Sequence, residues 1–122
     1  KGEKKFSDEE LKKLLKGDTK PIFVATDENN NILGHCFCVF REVKNDKSLC
    51  DRKVLYIDDL CVDKNIRNSG IGKKLYEYVL NFAKENNFTS ITLDVWNFNE
   101  NALKFYEKIG FLPLKTLMEK QI

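Results

Sequence analysis

A short glycine-containing segment, Arg67-Asn68-Ser69-Gly70-Ile71-Gly72, constrains the fold of this chain more than any other feature. It follows an apolar run over Val54–Val62 and precedes an amphipathic run over Ile71–Phe88, so it predicts a strand-to-helix connection. Glycine has no Cβ, which lets a ligand approach the backbone, and the first turn of a helix offers unpaired N–H groups. With the charges of Arg67 and Lys73 beside them, these amides favour binding of a pyrophosphate.

The glycine segment by itself leaves other interpretations open. It is not a P-loop, because the Gly-x4-Gly-Lys-Ser/Thr pattern is absent, and it lacks the third glycine of a dinucleotide-binding fingerprint. A tight turn that needs glycine only for its geometry is equally consistent with the segment.

Composition limits the classes of protein to consider. With 122 residues and 42% hydrophobic content, the chain is expected to form one domain over 1–122. Its net charge of +2 gives no general attraction to nucleic acid, and no apolar run is long enough to span a membrane. Cys36 and Cys38 are too close together in the sequence for the common spacing of zinc ligands, and the single His35 cannot complete a zinc set. The cysteines therefore indicate reduced packing residues in a cytoplasmic protein without a metal.

The remaining pattern predicts the order α-β-β-β-α-β-α-β. The first helix would begin at Ser7, with Glu10 completing a capping box, and would end at Gly17. Local signals then predict a hairpin of two strands, a polar loop, a third strand, a helix closed by two asparagines, a fourth strand, a capped helix and a last strand. In chain order these are Ile22–Thr26, Ile32–Glu42, Asn45–Arg52, Val54–Val62, the helix ending at Asn86-Asn87, the strand around Ile91–Val95, the helix from Asn99 to Gly110, and Leu112–Ile122.

Two adjacent carboxylates, Asp58 and Asp59, interrupt the third strand. Neighbouring strand residues point to opposite faces of a sheet. One of the two should therefore face inward unless a β-bulge intervenes.

Two blocks of this sequence resemble the GCN5-related N-acetyltransferase (GNAT) family. Arg67–Gly72 matches the family pattern Gln/Arg-x-x-Gly-x-Gly/Ala, and Asn99–Phe111 matches Asn-x-x-Ala-x-x-Phe-Tyr-x-x-x-Gly-Phe at every position. The resemblance implies an α/β (α+β) fold with a mixed, mostly antiparallel sheet and helices on both faces. Family members usually begin with a strand and a helix before the helix placed at Ser7, and this chain is expected to lack them.

The resemblance also implies acetyl-CoA as co-substrate and a set of coenzyme contacts. Strands would splay beside the third strand, and a backbone N–H there, such as that of Cys61, would stabilise the developing oxyanion. Tyr106 would protonate the departing thiolate, the alternative being a core tyrosine. The implied coenzyme-binding residues are Leu60, Cys61, Val62, Arg67, Asn68, Ser69, Gly70, Ile71, Gly72, Lys73, Asn99, Ala102 and Tyr106.

A protonated alkylamine must lose a proton before it attacks a thioester. Asp58 or Asp59 could take that proton, directly or through water, since the segment resembles that of diamine (spermidine/spermine-type) acetyltransferases. Alternatively, both carboxylates are solvated or bind a cationic substrate. His35 is interpreted as a strand residue without a catalytic role, and a covalent Cys61–His35 mechanism is disfavoured because arylamine acetyltransferases lack this glycine segment.

The sequence therefore predicts direct acetyl transfer to a primary amine, most consistent with a small cationic amine, by a RimI-like or diamine-type enzyme. Trp96 and Phe98 could line the acceptor site, although one of them is expected in the core. The alternatives are a non-catalytic acyl-CoA-binding module, an acetyltransferase for protein N-termini or lysines, and a nucleotide-binding domain of another fold. A homodimer is possible, and no nucleic-acid or membrane partner is expected.

Overall fold

The structure, a computed structural model, describes residues 10–14, 19–43, 52–66 and 69–122. Within them, five strands form one sheet in the order β1-β2-β3-β4-β5, in which β1 to β4 are antiparallel neighbours and β5 runs parallel to β4. The elements are β1 Glu10–Leu14, β2 Ile22–Thr26, β3 Ile32–Val43, β4 Arg52–Val62, a 3-10 turn Lys64–Ile66, α1 Ile71–Glu85, β5 Ser90–Leu93 and α2 Glu100–Lys108.

Helix α1 packs against one face of the sheet and forms the core with it. Leu75 and Val79 are one helical turn apart and fully buried, and they meet Phe23, Cys36 and Leu55 from three neighbouring strands. Each such side chain contributes about 1.5–3 kcal/mol by leaving water. The same cluster is joined by Ile109 and Phe111 at the end of α2, so both helices are fixed relative to the sheet by apolar packing.

The predicted hairpin is confirmed, with a polar turn between β2 and β3. The Asp27 side chain accepts hydrogen bonds from the backbone N–H groups of Asn29 and Asn31, at 2.8 and 2.9 Å. Asn30 adopts a positive φ of 64°, which asparagine tolerates better than most residues.

The predicted ends of the two helices are also confirmed. Helix α1 begins at Ile71 and is closed by Asn86, and Asn87 follows with φ of 64°. Helix α2 is capped by Asn99, whose side-chain oxygen accepts a hydrogen bond from the Ala102 amide at 3.2 Å. Gly110 has φ of 106° and ends that helix, as a left-handed glycine commonly does.

The helix predicted from Ser7 to Gly17 is wrong where it can be compared, because Glu10–Leu14 is strand β1. This strand pairs antiparallel with β2 and supplies partners for backbone groups along an edge that would otherwise lack them. Leu11 packs against the core clusters and the Lys13 ammonium lies 4.7 Å from the Phe82 ring centre. Pairing with β2 thus overrides a local helical signal in the sequence. Ser7, Gly17 and most of the loop predicted over Asn45–Arg52 lie outside the described residues.

The last strand, predicted over Leu112–Ile122, is wrong as well. These residues form no strand, and their large apolar side chains are exposed: Leu112, Leu114, Leu117, Met118 and Ile122. The alternation that favours a strand breaks at the adjacent pair Leu117-Met118, and Pro113 cannot donate to a sheet. None of the described helices is long and apolar enough to cross a membrane.

Candidate active site

A β-bulge decides where the acidic pair of β4 points. Phe37 is opposite Asp59 and the next residue of β3, Cys38, is opposite Ile57, so Asp58 is left without a partner on β3. Both carboxylates are exposed. The bulge is the condition under which neither aspartate needs to face the core.

The bulge also reverses which residues of β4 face helix α1. Before it, Leu55 and Ile57 point into the core on the α1 side. After it, Leu60 packs against the same cluster, although unbroken alternation would have placed Asp59 there. Asp59 therefore lies beside Phe37 on the opposite face of the sheet.

Beyond the bulge, the outer edge of β4 is open. The parallel pairing with β5 ends at Ile57 opposite Leu93, and no described strand pairs with Asp58–Val62 on that side. This is the splay that the family resemblance implied. It leaves backbone groups of β4 available to a ligand that enters between the two strands.

The orientation of the β4 amides identifies which of them face this gap. The Asp63 N–H donates to the Leu33 carbonyl at 2.8 Å, so Asp63 points its backbone groups at β3. In an antiparallel pair this orientation alternates, which directs the Cys61 N–H to β3 as well. The amides of Leu60 and Val62 face the gap, whereas the Cys61 amide, which the resemblance implied as an oxyanion donor, faces β3.

The start of α1 offers a cradle for an anion. Gly70 has φ of 87° and the helix has no side-chain cap. Among the described residues, the structure gives no protein acceptor to the amides of Ile71, Gly72 and Lys73. The Ser69 hydroxyl beside them is buried and has no described partner, as expected if a ligand completes its hydrogen bonding. Arg67 and Asn68 lie outside the described residues.

The two glycines of the cradle have different physical roles. Gly70 is required by its left-handed backbone, so geometry alone accounts for it. Gly72 is helical, and a Cβ added there would meet Val62 at 3.5 Å and Phe105 at 3.7 Å, which are ordinary contacts. The protein interior therefore does not require glycine at 72, and the absence of a Cβ there leaves the backbone open to close approach by a ligand.

Tyr106 on α2 is half-buried and borders the same region. Its ring packs edge-on against Phe105 and Phe111, with centroids 5.2 and 5.5 Å away. Burial raises the pKa of Tyr106 to about 12, and the negative charge of the Asp59 carboxylate contributes in the same direction. The phenol is therefore protonated at neutral pH and can donate a hydrogen bond to a leaving sulfur.

The two aspartates of the pair have different neighbours. Asp59 accepts a hydrogen bond from the His35 ring, with 2.9 Å between Nε2 and Oδ2. Tyr56, two residues before Asp58 on β4, has a hydroxyl that donates to Asp94 at 2.6 Å. That hydrogen bond raises the pKa of Tyr56, and the charge of Asp58 adds to the effect. The contact between His35 and Asp59 has no signal in the sequence, because it depends on the bulge.

Trp96 and Phe98 stack on each other outside the core. Their ring centroids are 5.7 Å apart at 18°, and the residues are 73% and 79% exposed. The expectation that one of them belongs to the core is wrong. No cluster of three or more His, Cys, Asp or Glu side chains able to hold a metal occurs within the described ranges.

Comparison with known proteins identifies the same family as the two sequence motifs. The model of the Acetyltransferase (GNAT) family matches residues 2–111. The chain is 30% identical over 108 residues to an uncharacterized N-acetyltransferase of Methanocaldococcus jannaschii, covering 88% of this chain and 46% of that protein. It is 36% identical over 84 residues to the probable N-acetyltransferase san of Drosophila melanogaster, covering 68% and 42%. The chain thus spans less than half the length of these two relatives.

Solved structures share the architecture. A tetramutant of the BH1408 protein from Bacillus halodurans superposes with a TM-score of 0.81 at 32% identity, covering 88% of this chain and 69% of that one. The aminoglycoside acetyltransferase meta-AAC0020 from an uncultured soil metagenomic sample gives a TM-score of 0.72 at 28% identity, covering 89% and 68%.

Proposed function

The chain belongs to the GNAT acetyltransferase family, and we propose that it transfers an acetyl group directly from acetyl-CoA to a primary amine. The observation that carries this proposal is the open edge of β4 between the α1 cradle and Tyr106. An extended coenzyme can lie along this edge with its pyrophosphate at the helix start and its thioester near the bulge.

The coenzyme is held mainly by backbone groups in this proposal. The amides of Ile71, Gly72 and Lys73, with Ser69 and the flanking Arg67 and Asn68, bind the pyrophosphate. Leu60, Cys61 and Val62 line the pantetheine arm. The Asn99 oxygen is occupied by its cap to Ala102, which leaves its amide nitrogen free to donate to the coenzyme.

Polarisation of the thioester carbonyl is assigned to the outward-facing amides of Leu60 or Val62, and proton donation to the leaving thiolate is assigned to Tyr106. Removing one such backbone or hydroxyl donor from an acyl-transfer site costs about 10²–10³ in kcat. The thiolate leaves as the thiol, and the new amide bond joins the acetyl carbon to the amine nitrogen.

The acceptor is proposed to be a small cationic amine. Asp58, Asp59 and Asp94 are exposed carboxylates at the end of the β4–β5 pairing, and they favour a positively charged ligand. The exposed Trp96–Phe98 stack offers an aromatic surface for the same charge. The name of the metagenomic relative, an aminoglycoside acetyltransferase, agrees with this class of acceptor.

An acceptor panel tests the proposal. Purified protein is incubated with acetyl-CoA and polyamines, aminoglycosides, simple alkylamines, peptides with free N-termini and lysine peptides, and CoA release is followed with a thiol reagent. Turnover confined to small cationic amines is expected. Turnover on peptides alone would redirect the proposal to protein acetylation, tight CoA binding without any turnover would indicate a binding module, and ATP or NAD competing with CoA would refute the coenzyme assignment.

The proposal also includes a homodimer and a cytoplasmic location. Exposed apolar residues of the C-terminal segment, such as Leu117 and Met118, are compatible with a homodimer. Analytical ultracentrifugation tests the dimer, and microscopy of the tagged protein tests the cytoplasmic location expected from its cysteines.

A further inference from the structure

His35 and Asp59 form a hydrogen-bonded pair across β3 and β4, on the sheet face opposite α1. Nε2 of His35 lies 2.9 Å from Oδ2 of Asp59, and the two side chains are 29% and 53% exposed. The imidazole stacks on Phe37, with ring centroids 4.5 Å apart at 24°. The ring is therefore fixed on two sides, by a charge-assisted hydrogen bond and by an aromatic face, while solvent still reaches it.

The bulge at Asp58 creates this pair. Without it, Asp59 would follow Leu55 and Ile57 into the core on the α1 side. With it, Asp59 stands opposite Phe37 and diagonal to His35, while Cys61 stands directly opposite His35. The pair thus lies on the part of β4 whose outer edge is open toward β5.

We propose that His35, positioned by Asp59, is the catalytic base that accepts the proton of the acceptor amine. The inference rests on the proposed function and replaces the direct base role expected for Asp58 or Asp59. A carboxylate ordinarily titrates near pH 4, far below an alkylammonium, whereas histidine is the side chain that ordinarily titrates nearest neutral pH. An imidazole is therefore better matched to the task than either aspartate alone.

The geometry specifies which nitrogen acts. Because Nε2 donates to the Asp59 carboxylate, a neutral ring carries its lone pair on Nδ1. Nδ1 has no protein partner among the described residues. Across the described strands, the residues directly opposite His35 are Cys61 of β4 and the apolar Val24 of β2. Tyr106 of α2 is close enough to Asp59 for their charges to interact.

The proton and bond changes balance. The ammonium gives one proton to Nδ1, and the imidazolium so formed is stabilised by Asp59. The free amine attacks the thioester carbonyl carbon, so that a C–N bond forms and the C–S bond breaks. The sulfur takes a proton from Tyr106, which regains one from the amine nitrogen, and His35 releases its proton to water.

One variant and one control test the kinetic part. His35→Gln can still donate to Asp59 but cannot accept a proton near neutral pH, and Glu42→Gln is the same strand's control at an exposed carboxylate with no assigned role. With the best acceptor of the panel, His35→Gln should lower kcat by about 10²-fold, the usual contribution of general base catalysis. It should also remove one ionisation from the pH–rate profile of the natural protein, while CoA affinity and the Tm stay those of Glu42→Gln.

A spectroscopic readout is independent of turnover. The chain has one histidine, so untagged, ¹⁵N-labelled protein gives one imidazole spin system. At a pH where the ring is neutral, the proton should be on Nε2 in the natural protein, and Asp59→Asn should weaken this preference. A proton on Nδ1 instead would overturn the proposal, whatever the activity.

The outcomes separate this inference from the proposed function. Turnover by the natural protein together with an unchanged pH profile and kcat in His35→Gln would overturn the base role and leave the acetyltransferase assignment intact. Absence of CoA binding by the natural protein would overturn the assignment and the base role together.

Discussion

Gly72 provides the sharpest test of the coenzyme cradle, because substitutions there should move the stability of the protein and its affinity for CoA in opposite directions. A Cβ at 72 meets only ordinary contacts, at 3.5 Å to Val62 and 3.7 Å to Phe105. Alanine is a better helix former than glycine by about 0.5–1 kcal/mol, so Gly72→Ala should stabilise the free protein by up to that amount.

Gly72→Asp should weaken CoA binding more strongly than Gly72→Ala, because it adds a negative charge as well as a side chain. A carboxylate near a helix N-terminus stabilises the fold by about 0.3–1 kcal/mol. The same carboxylate also repels the pyrophosphate of bound CoA. The repulsion energy in kcal/mol is 332 divided by the product of the dielectric constant and the distance in Å, which is about 3 kcal/mol for one phosphate charge about 5 Å away at an effective dielectric constant of about 20. That energy corresponds to about a 10²-fold higher Kd for CoA.

Isothermal titration calorimetry with CoA and thermal unfolding of the free protein measure the two effects. Asn81→Asp introduces the same charge on exposed α1 surface nine residues further on, about 14 Å away along the helix, and should leave the Kd nearly unchanged. If Gly72→Asp binds CoA as tightly as Asn81→Asp does, the cradle has been placed wrongly. If Gly72→Ala unfolds at a much lower temperature than the natural protein, the reasoning about its contacts fails.

Three further predictions follow from the same geometry. Gly70→Ala should cost about 1–2 kcal/mol of unfolding free energy because φ is 87°, and an unchanged Tm by thermal unfolding would contradict the left-handed assignment. Tyr106→Phe should lower kcat by about 10²-fold with unchanged Kd for CoA, and equal losses in both quantities would remove the acid role. The pKa of Tyr106 is raised from 10.0 to about 12, so the unfolded chain ionises first as the pH rises. The natural protein should therefore lose stability between pH 10 and 12 relative to Tyr106→Phe, by about 1 kcal/mol once solvent screening at the half-exposed phenol is allowed for, and parallel denaturation curves would contradict this.

Elements with strong local signals could be predicted from the sequence. The hairpin, the start and end of α1 and the Asn99 cap are specified by residues close together in the chain: Asp27 closes a turn on its own neighbours, and Asn99 caps Ala102 three residues later. The two segments whose secondary structure was predicted wrongly depend instead on partners distant in the chain. Glu10–Leu14 carries a helical signal but pairs with β2, and Leu112–Ile122 has strand-forming residues but no described strand beside it.

In the candidate site, too, some features are set by the local sequence and others by pairing between distant segments. Periodicity could place Asp58 and Asp59 on a strand, but their direction depends on a register shift against Phe37 and Cys38, at least twenty residues earlier in the chain. A shift of one residue exchanges the faces of everything that follows it, so the same sequence supports two opposite assignments of Asp59. Only the assignment with the bulge brings Asp59 to His35 and away from the α1 core. The acid–base chemistry of this face is therefore a property of β3 and β4 together, and it cannot be read from the motif on either strand alone.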